Sequence, residues 1–151
     1  MKPRNSWSEN ERLVYKWFNE LFNQGDLDVA DDILAPEVSY NGPVSLTPRD
    51  VRGPEDIKDY VSVYQEAFPD IWYTVEHIFG SDDEMCVRWV ATGTHDSDLF
   101  DLESTGETFA EDGINVFTID DGRITEIWSE WDTLRMVQEL GVMPSVGEAS
   151  Q

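Results

Sequence analysis

Thr108–Ile119 reads TFAEDGINVFTI and Arg123–Trp131 reads RITEIWSEW, with Asp-Asp-Gly at 120–122 between them. Both runs are rich in β-branched and aromatic residues, and the acidic Gly-ended tripeptide is a turn signal, so the stretch reads as a β-hairpin. The tripeptide suits a three-residue turn with Gly122 in the left-handed conformation and a bulge. Under that register Asn115 faces Ser129, Phe117 faces Ile127 and Gly113 faces Trp131, and these six residues share one surface. The opposite surface carries Asp112, Ile114, Val116, Glu126, Trp128, Glu130 and Asp132. A slip of one residue would exchange the two sets, because side chains alternate along a strand.

Two more runs of the same character precede the hairpin. They are Ile71–Phe79 (IWYTVEHIF) and Met85–His95 (MCVRWVATGTH), separated by the turn signal Ser81-Asp-Asp. Upstream the pattern is helical. Ser8-Glu-Asn-Glu11 resembles a capping box, and Leu13, Val14, Trp17, Phe18, Leu21 and Phe22 then recur at helical spacing until Asn23-Gln-Gly25. A short helix fits Leu27–Leu34, ended by Pro36, and Val38–Asn41 reads as a short strand. Residues 41–50 form a loop rich in turn residues. Gly53-Pro54 opens a third helix with an apolar stripe of Ile57, Tyr60, Val61 and Tyr64, ended by Phe68-Pro69. Leu134–Leu140 is a last helix with Gly141 as its cap. Helices, then an antiparallel meander, then a short helix make an α+β fold, with helices on one face of a curved sheet and a pocket inside the resulting cone. No repeat or linker interrupts the chain, so residues 1–151 read as one domain with a core of about 8–144.

Composition narrows the function classes. A hydrophobic content of 40% and an aromatic content of 12% exclude a disordered chain. No apolar run is long enough to span a bilayer, and the N-terminus has no apolar core of a secretion signal, so a cytoplasmic protein is expected. The lone Cys86 excludes an internal disulfide and a multi-cysteine metal site. The formal charge is −22, from 32 acids against 10 bases, and the only lysines are Lys2, Lys16 and Lys58. Such a surface repels nucleic acid and anionic lipid, so neither is an expected partner. A calcium protein is one reading of the acids, but no calcium-loop pattern appears. A solvated face on an ordinary acidic protein is the second. Adaptation to a high-salt cytoplasm, where self-repulsion is screened, is the third, and dispersed acids with almost no lysine favour it.

Phe68-Pro-Asp70, Gly93-Thr-His95, Thr105-Gly106, Asp121-Gly-Arg-Ile124, Glu126-Ile-Trp128, Asp132 and Gln138-Glu-Leu-Gly141 occur in this order. Together they resemble the SnoaL-like polyketide cyclase (ester cyclase) family, over about Ser8 to Pro144. The resemblance implies a cone-shaped α+β barrel of the nuclear transport factor 2-like superfamily, usually a homodimer. It also implies ring closure by intramolecular aldol addition without metal or organic cofactor, an aspartate serving as acid and base beside a histidine. Counting back from Gln138-Glu-Leu-Gly141, the aspartate position falls on Ser129 and the histidine position on Asn115. Both depart from the cyclase pattern. A serine hydroxyl has no useful pKa near neutrality without a base, and an asparagine can polarise an enolate oxygen but not carry a proton.

Three groups are candidates for a relocated acid or base. His95 shares strand parity with Met85, Val87, Trp89, Ala91 and Gly93, and it reads either as a strand closer tied to backbone or Asp96, or as a pocket group. Glu111 shares parity with Asn115, and its plainer reading is a solvated strand end. Asp132 precedes the last helix, where its simplest role is an N-cap. His77, in an alternating strand beside Glu76, reads as structural. Asn115, Ser129, Phe117, Ile127 and Trp131 are the expected pocket lining. Trp17, Trp72, Trp89, Trp128 and Trp131 read first as core and second as walls for a flat ligand. No zinc, nucleophile-elbow or phosphate-loop motif is present, and nothing in the spacing supports a triad of Ser129 and His95 with an acid. The expected function is a cofactor-independent cyclase or isomerase acting on a hydrophobic carbonyl compound. The alternatives are a non-catalytic binder of an apolar small molecule, and a structural dimer whose cavity is filled by its own side chains.

Overall fold

The two strands of the hairpin are β5 (Thr108–Asp120) and β6 (Arg123–Trp131). Asn115 pairs with Ser129, Phe117 with Ile127 and Gly113 with Trp131, as the alternation predicts. The turn differs from expectation. Asp120 pairs directly with Arg123, and the two residues between them, Asp121 (φ 51°) and Gly122 (φ 72°), both adopt left-handed backbone. That is the two-residue turn whose twist suits a hairpin. The extra residue lies in β6, where the register shifts between Thr118 and Ile119 and leaves Thr125 bulged. Moving the bulge away from the turn preserves every distal pair.

The computed structural model describes residues 4–142. Met143 and Pro144, where the expected core ends, lie outside the described residues. The helices are α1 (Glu9–Lys16), α2 (Val29–Ile33), α3 (Gly53–Ala67) and α4 (Thr133–Glu139), and the other strands are β1 (Leu34–Asn41), β2 (Val51–Arg52), β3 (Trp72–Gly80) and β4 (Glu84–Thr94). Together they form an α+β fold: a curved sheet in the order β2-β1-β6-β5-β4-β3, with the N-terminal helices against one face.

Ser8 and Glu11 form the reciprocal capping box that starts α1. Beyond Lys16 the helix widens into a π-helix, Trp17–Asn23, which buries Trp17, Phe18, Leu21 and Phe22. At its end the Asn23 side chain exchanges two hydrogen bonds with the Tyr73 backbone, donating to its carbonyl at 2.8 Å and accepting from its N–H at 2.7 Å. These bonds cover part of the edge of β3, an otherwise open template for pairing. Two expectations need correction. The short helix ends at Ile33, and Leu34 already begins β1, which runs through Pro36. Proline is tolerated because the β1–β6 register breaks between Leu34 and Ser39, so no ladder bond is asked of its nitrogen. Nor is the sheet a purely antiparallel meander, since β1 pairs with β6 in parallel.

Burial along β5 alternates through its length, with Phe109, Glu111, Gly113, Asn115, Phe117 and Ile119 inside. Against this face the rings of Trp17, Phe18, Tyr40 and Phe117 meet at centroid distances of 5.8–6.1 Å. Among the described residues no helix is long and apolar enough to cross a membrane.

Candidate active site

Gly93 has no room for a side chain. A Cβ there would lie 2.8 Å from the Phe109 ring and 3.2 Å from Phe68 Cβ. Around it the motif segments interlock. Asp70 accepts from the Thr94 N–H at 2.7 Å and from its hydroxyl at 2.8 Å. His95 donates its N–H to Glu107 O at 2.9 Å and accepts the Gly106 N–H at 2.8 Å. Its Nδ1 lies 3.3 Å from Thr105 Oγ1, and its ring tilts on Phe68 at 5.4 Å. Phe68-Pro-Asp70, Gly93-Thr-His95 and Thr105-Gly106 are therefore one clamp that ends β4. His95 closes the strand as its first reading expects. Its ring is nevertheless wholly buried, its Nε2 has no hydrogen-bond partner, and burial lowers its pKa against the opposing pull of Asp98.

The two positions where the resemblance implies acid–base residues are occupied by bound amide and hydroxyl groups. Trp89 donates its indole N–H to Asn115 Oδ1 at 3.0 Å, across Gly113, whose missing Cβ would strike the Trp89 ring. Ser129 hydrogen-bonds Tyr40, whose hydroxyl lies 3.1 Å from that of Tyr60. Tyr64 donates to the Leu46 carbonyl at 2.8 Å. The pKa values of Tyr40, Tyr60 and Tyr64 are all raised, foremost by burial, so these phenols stay neutral donors. The tyrosine ladder was not legible as polar. In the sequence Tyr60 and Tyr64 belong to the apolar stripe of a helix, and their i, i+4 spacing is the sign that the two rings meet. Phe117 and Ile127 are core residues with no exposure, and Trp131 is half-buried against the core.

Glu111 is the exception on this face. It is 1% exposed, it pairs with Ala91 in the middle of the β4–β5 ladder, and neither carboxyl oxygen has a hydrogen-bond partner. Burial pushes its pKa up to about 8; Arg135 opposes the rise, while Glu139, Asp132 and Asp112 add to it. The expectation of a solvated strand end fails because α4 covers this part of β5: Met136 and Leu140 are buried, and Glu139 accepts the Ala110 N–H at 3.0 Å. Glu111 stands four residues from Asn115 along β5, about 13 Å, so the carboxyl does not join the Asn115–Ser129 pair. His95, the residue after β4, stands equally four residues from Ala91, the partner of Glu111. Asp132 is exposed and caps α4 by accepting the Arg135 N–H at 2.9 Å, so the structure does not bring it inside. Trp72 and Trp128 point outward and are half-exposed, whereas Trp17 and Trp89 are core.

A cleft of about 400 Å³ opens between α4 and two loops, lined by Leu46, Phe100, Leu102, Leu134, Val137 and Asp101 among others. Phe100 holds a left-handed backbone (φ 50°) that a bulky residue rarely adopts, and its ring meets the edge of Tyr64 at 6.0 Å. The cleft thus touches the outer end of the tyrosine ladder. Among the described residues no group of three or more His, Cys, Asp or Glu side chains is placed to hold a metal ion.

The model of the SnoaL-like polyketide cyclases matches residues 12–140. The chain belongs to this family. Among solved structures, a candidate polyketide cyclase from a Jannaschia species superposes with a TM-score of 0.82 at 21% identity, over 95% of this chain and 99% of that one. One from Acidithiobacillus ferrooxidans gives 0.79 at 24%, over 92% and 99%. At these identities the two likenesses carry the fold alone. IdmH, a candidate polyketide cyclase from Streptomyces antibioticus, gives 0.76 at 28%, over 89% and 99%. No curated protein matches the sequence. Family membership accounts for the clamp motifs as architecture, while the two positions where the resemblance implies acid–base residues hold Asn115 and Ser129.

Proposed function

We propose that the protein is a cofactor-independent cyclase or isomerase of a hydrophobic carbonyl compound, with Glu111 as its acid and base. The observation that carries this reading is the Glu111 carboxyl, buried on the interior face with both oxygens unpartnered. Perturbed, unpaired carboxyls of this kind cluster at catalytic sites, and a pKa of about 8 leaves both protonation states populated near neutrality. The carboxylate takes a proton from a carbon beside the carbonyl. The resulting enolate carbon either recovers that proton at another position, or adds to a second carbonyl whose alkoxide takes it. Either route returns Glu111 to its starting state. His95 Nε2 is the second unpartnered group available inside. The apolar cleft beside Phe100 and Leu134 fits the entry of an uncharged ligand, since among the described residues its only charged lining residue is Asp101.

A second reading rests on Asn115 and Ser129. Their engagement by Trp89 and Tyr40 supports a protein that binds an apolar molecule and does no proton chemistry. Deuterium exchange at the acidic carbon of a bicyclic 1,3-diketone separates the two without knowledge of the natural substrate. The wild type is expected to accelerate exchange, and Glu111→Gln to lose about 100-fold or more of that acceleration. A wild type that binds the diketone without accelerating exchange supports the binder. Acceleration that survives both Glu111→Gln and His95→Ala removes the present assignment of roles.

We also infer a salt-rich cytoplasm as the working environment. The dispersed −22 charge and the three lysines support it.

A further inference from the structure

Glu111 stands between two residues of β5 that α4 grips. Before it, the Ala110 N–H donates to Glu139 Oε2 at 3.0 Å. After it, Asp112 Oδ1 accepts from Arg135 Nη1 at 3.2 Å. Arg135 Nε also donates to Glu139 Oε1 at 3.2 Å, so one guanidinium joins both flanks of the carboxyl. Asp132 fixes the start of the helix by accepting the Arg135 N–H at 2.9 Å. The charges that act on Glu111 are those of Asp112 on β5 and of Asp132, Arg135 and Glu139 at α4, and among the described residues Arg135 is the one cation in that set. The inward residues of β4 beside Glu111 are Trp89, Ala91 and Gly93, which carry no charge. At the end of α3, Phe68 presents an uncharged ring to Phe109 at 4.9 Å.

We infer that Arg135 is a positioning residue for Glu111: from α4 its guanidinium offsets Asp112 and Glu139 on either side of the carboxyl and fixes the pH at which that carboxyl becomes a base. The inference rests on Glu111 as the acid and base of the proposed reaction. A carboxylate at this place receives no hydrogen bond, since neither oxygen has a partner. Burial opposes its charge, and attraction through space is what remains to offset the lost water. Arg135 supplies that attraction by its own charge and by pairing two of the acids that would otherwise repel the carboxylate. It stays cationic at every pH at which a carboxyl titrates. Its side chain is 46% exposed, so solvent screens it and its hold is moderate, about tenfold in the ionisation constant. Arg88 also meets Asp112 at 3.2 Å, from the outward side of β4, and provides the contrast.

The test is a carbon-13 NMR titration of the full chain from about pH 5 to about pH 10, with every variant at the same KCl concentration. The Glu111 carboxyl resonance is the one that Glu111→Gln removes. In the wild type it is expected to titrate near 8. Arg135→Gln should move the midpoint up by about one pH unit, an about tenfold loss of carboxylate near neutrality. Arg135→Lys should return most of that loss, because the charge is back. Arg88→Gln should move the midpoint by less than about 0.3, since Asp112 keeps its bond to Arg135. Glu139→Gln keeps an oxygen for the Ala110 N–H, removes an acid, and should move the midpoint down; it carries the test should Arg135→Gln not fold. A midpoint unmoved by Arg135→Gln and Glu139→Gln overturns the inference. So does an equal rise in Arg88→Gln, which would make the loss of any ion pair at Asp112 the cause. Deuterium exchange of the diketone over the same pH range should rise at the same midpoint in each variant. A resonance that moves while exchange does not upholds the grip of Arg135 on Glu111 and removes Glu111 from the chemistry.

Discussion

The two faces of β5 differ by a single residue step and by everything else. Inward, Phe109, Glu111, Gly113, Asn115 and Phe117 are buried, and each polar group among them is either held by a neighbour or, at Glu111, left without a partner. Outward, Asp112, Ile114 and Val116 keep contact with solvent, and charge is managed by the Arg88–Asp112–Arg135 network. The inner face stores its one conspicuous cost in a titratable group, and the outer face stores its own in exposed apolar area.

Salt should break this comparison first, because it acts on the whole charged surface. Dilution of KCl from about 3 M to about 0.1 M lengthens the screening distance from below about 3 Å to about 10 Å, and the fold is expected to be lost. Circular dichroism follows it, and an unchanged melting temperature across that range contradicts the high-salt reading. The next contrast is between neighbours. Phe117→Ala should cost about 3–5 kcal/mol, because Phe117 has no exposure and meets Trp17 and Phe18 edge-on. Val116→Ala, one residue away and half-buried on the outer face, should cost less than about 1.5 kcal/mol. Equal losses in urea titration would mean that the outer face is as buried as the inner one, which in a monomer the register forbids.

Glu111 gives a smaller effect with a distinctive sign. Its folded pKa lies above its unfolded value of 4.5, so between about 4.5 and about 8 the folded state holds a proton that the unfolded state releases. Stability should therefore fall as pH rises through that window. Glu111→Leu should remove the slope and stabilise the protein at pH values above about 8 by about 2 kcal/mol. A variant less stable than wild type there, with the slope intact, would show that the carboxyl is satisfied in solution. Asp132→Ala is the mildest change, at about 1 kcal/mol. It should leave deuterium exchange untouched, because Asp132 caps α4 and faces solvent. Loss of exchange in that variant would return Asp132 to the active groups.

Several features were legible because their causes are local. Alternation from Thr108 to Trp131 gave the hairpin pairs, and an error in the turn was harmless because the bulge at Thr125 restored the register. Ser8 and Glu11 announced α1. The π-helix was not legible, since Trp17, Phe18, Leu21 and Phe22 suit the inner side of either helix type. Pro36 looked like a helix stop ahead of a short strand at Val38–Asn41; it lies inside β1 only because a distant strand, β6, leaves a gap in the ladder there.

By itself the sequence determined the α+β class, the pairing expected of the last hairpin, and the hydroxyl of Ser129 and amide of Asn115 at the two positions where the resemblance implies an aspartate and a histidine. Those follow from period, turn chemistry and residue identity, which act over a few bonds. Only the tertiary structure decided that β1 runs parallel to β6, that Trp89 and Tyr40 occupy those two polar positions, and that α4 seals Glu111 from water. Those depend on which segments meet after the chain closes. The protonation of Glu111 is set first by the water it loses in that meeting, and its chain neighbour Asp112 adds less.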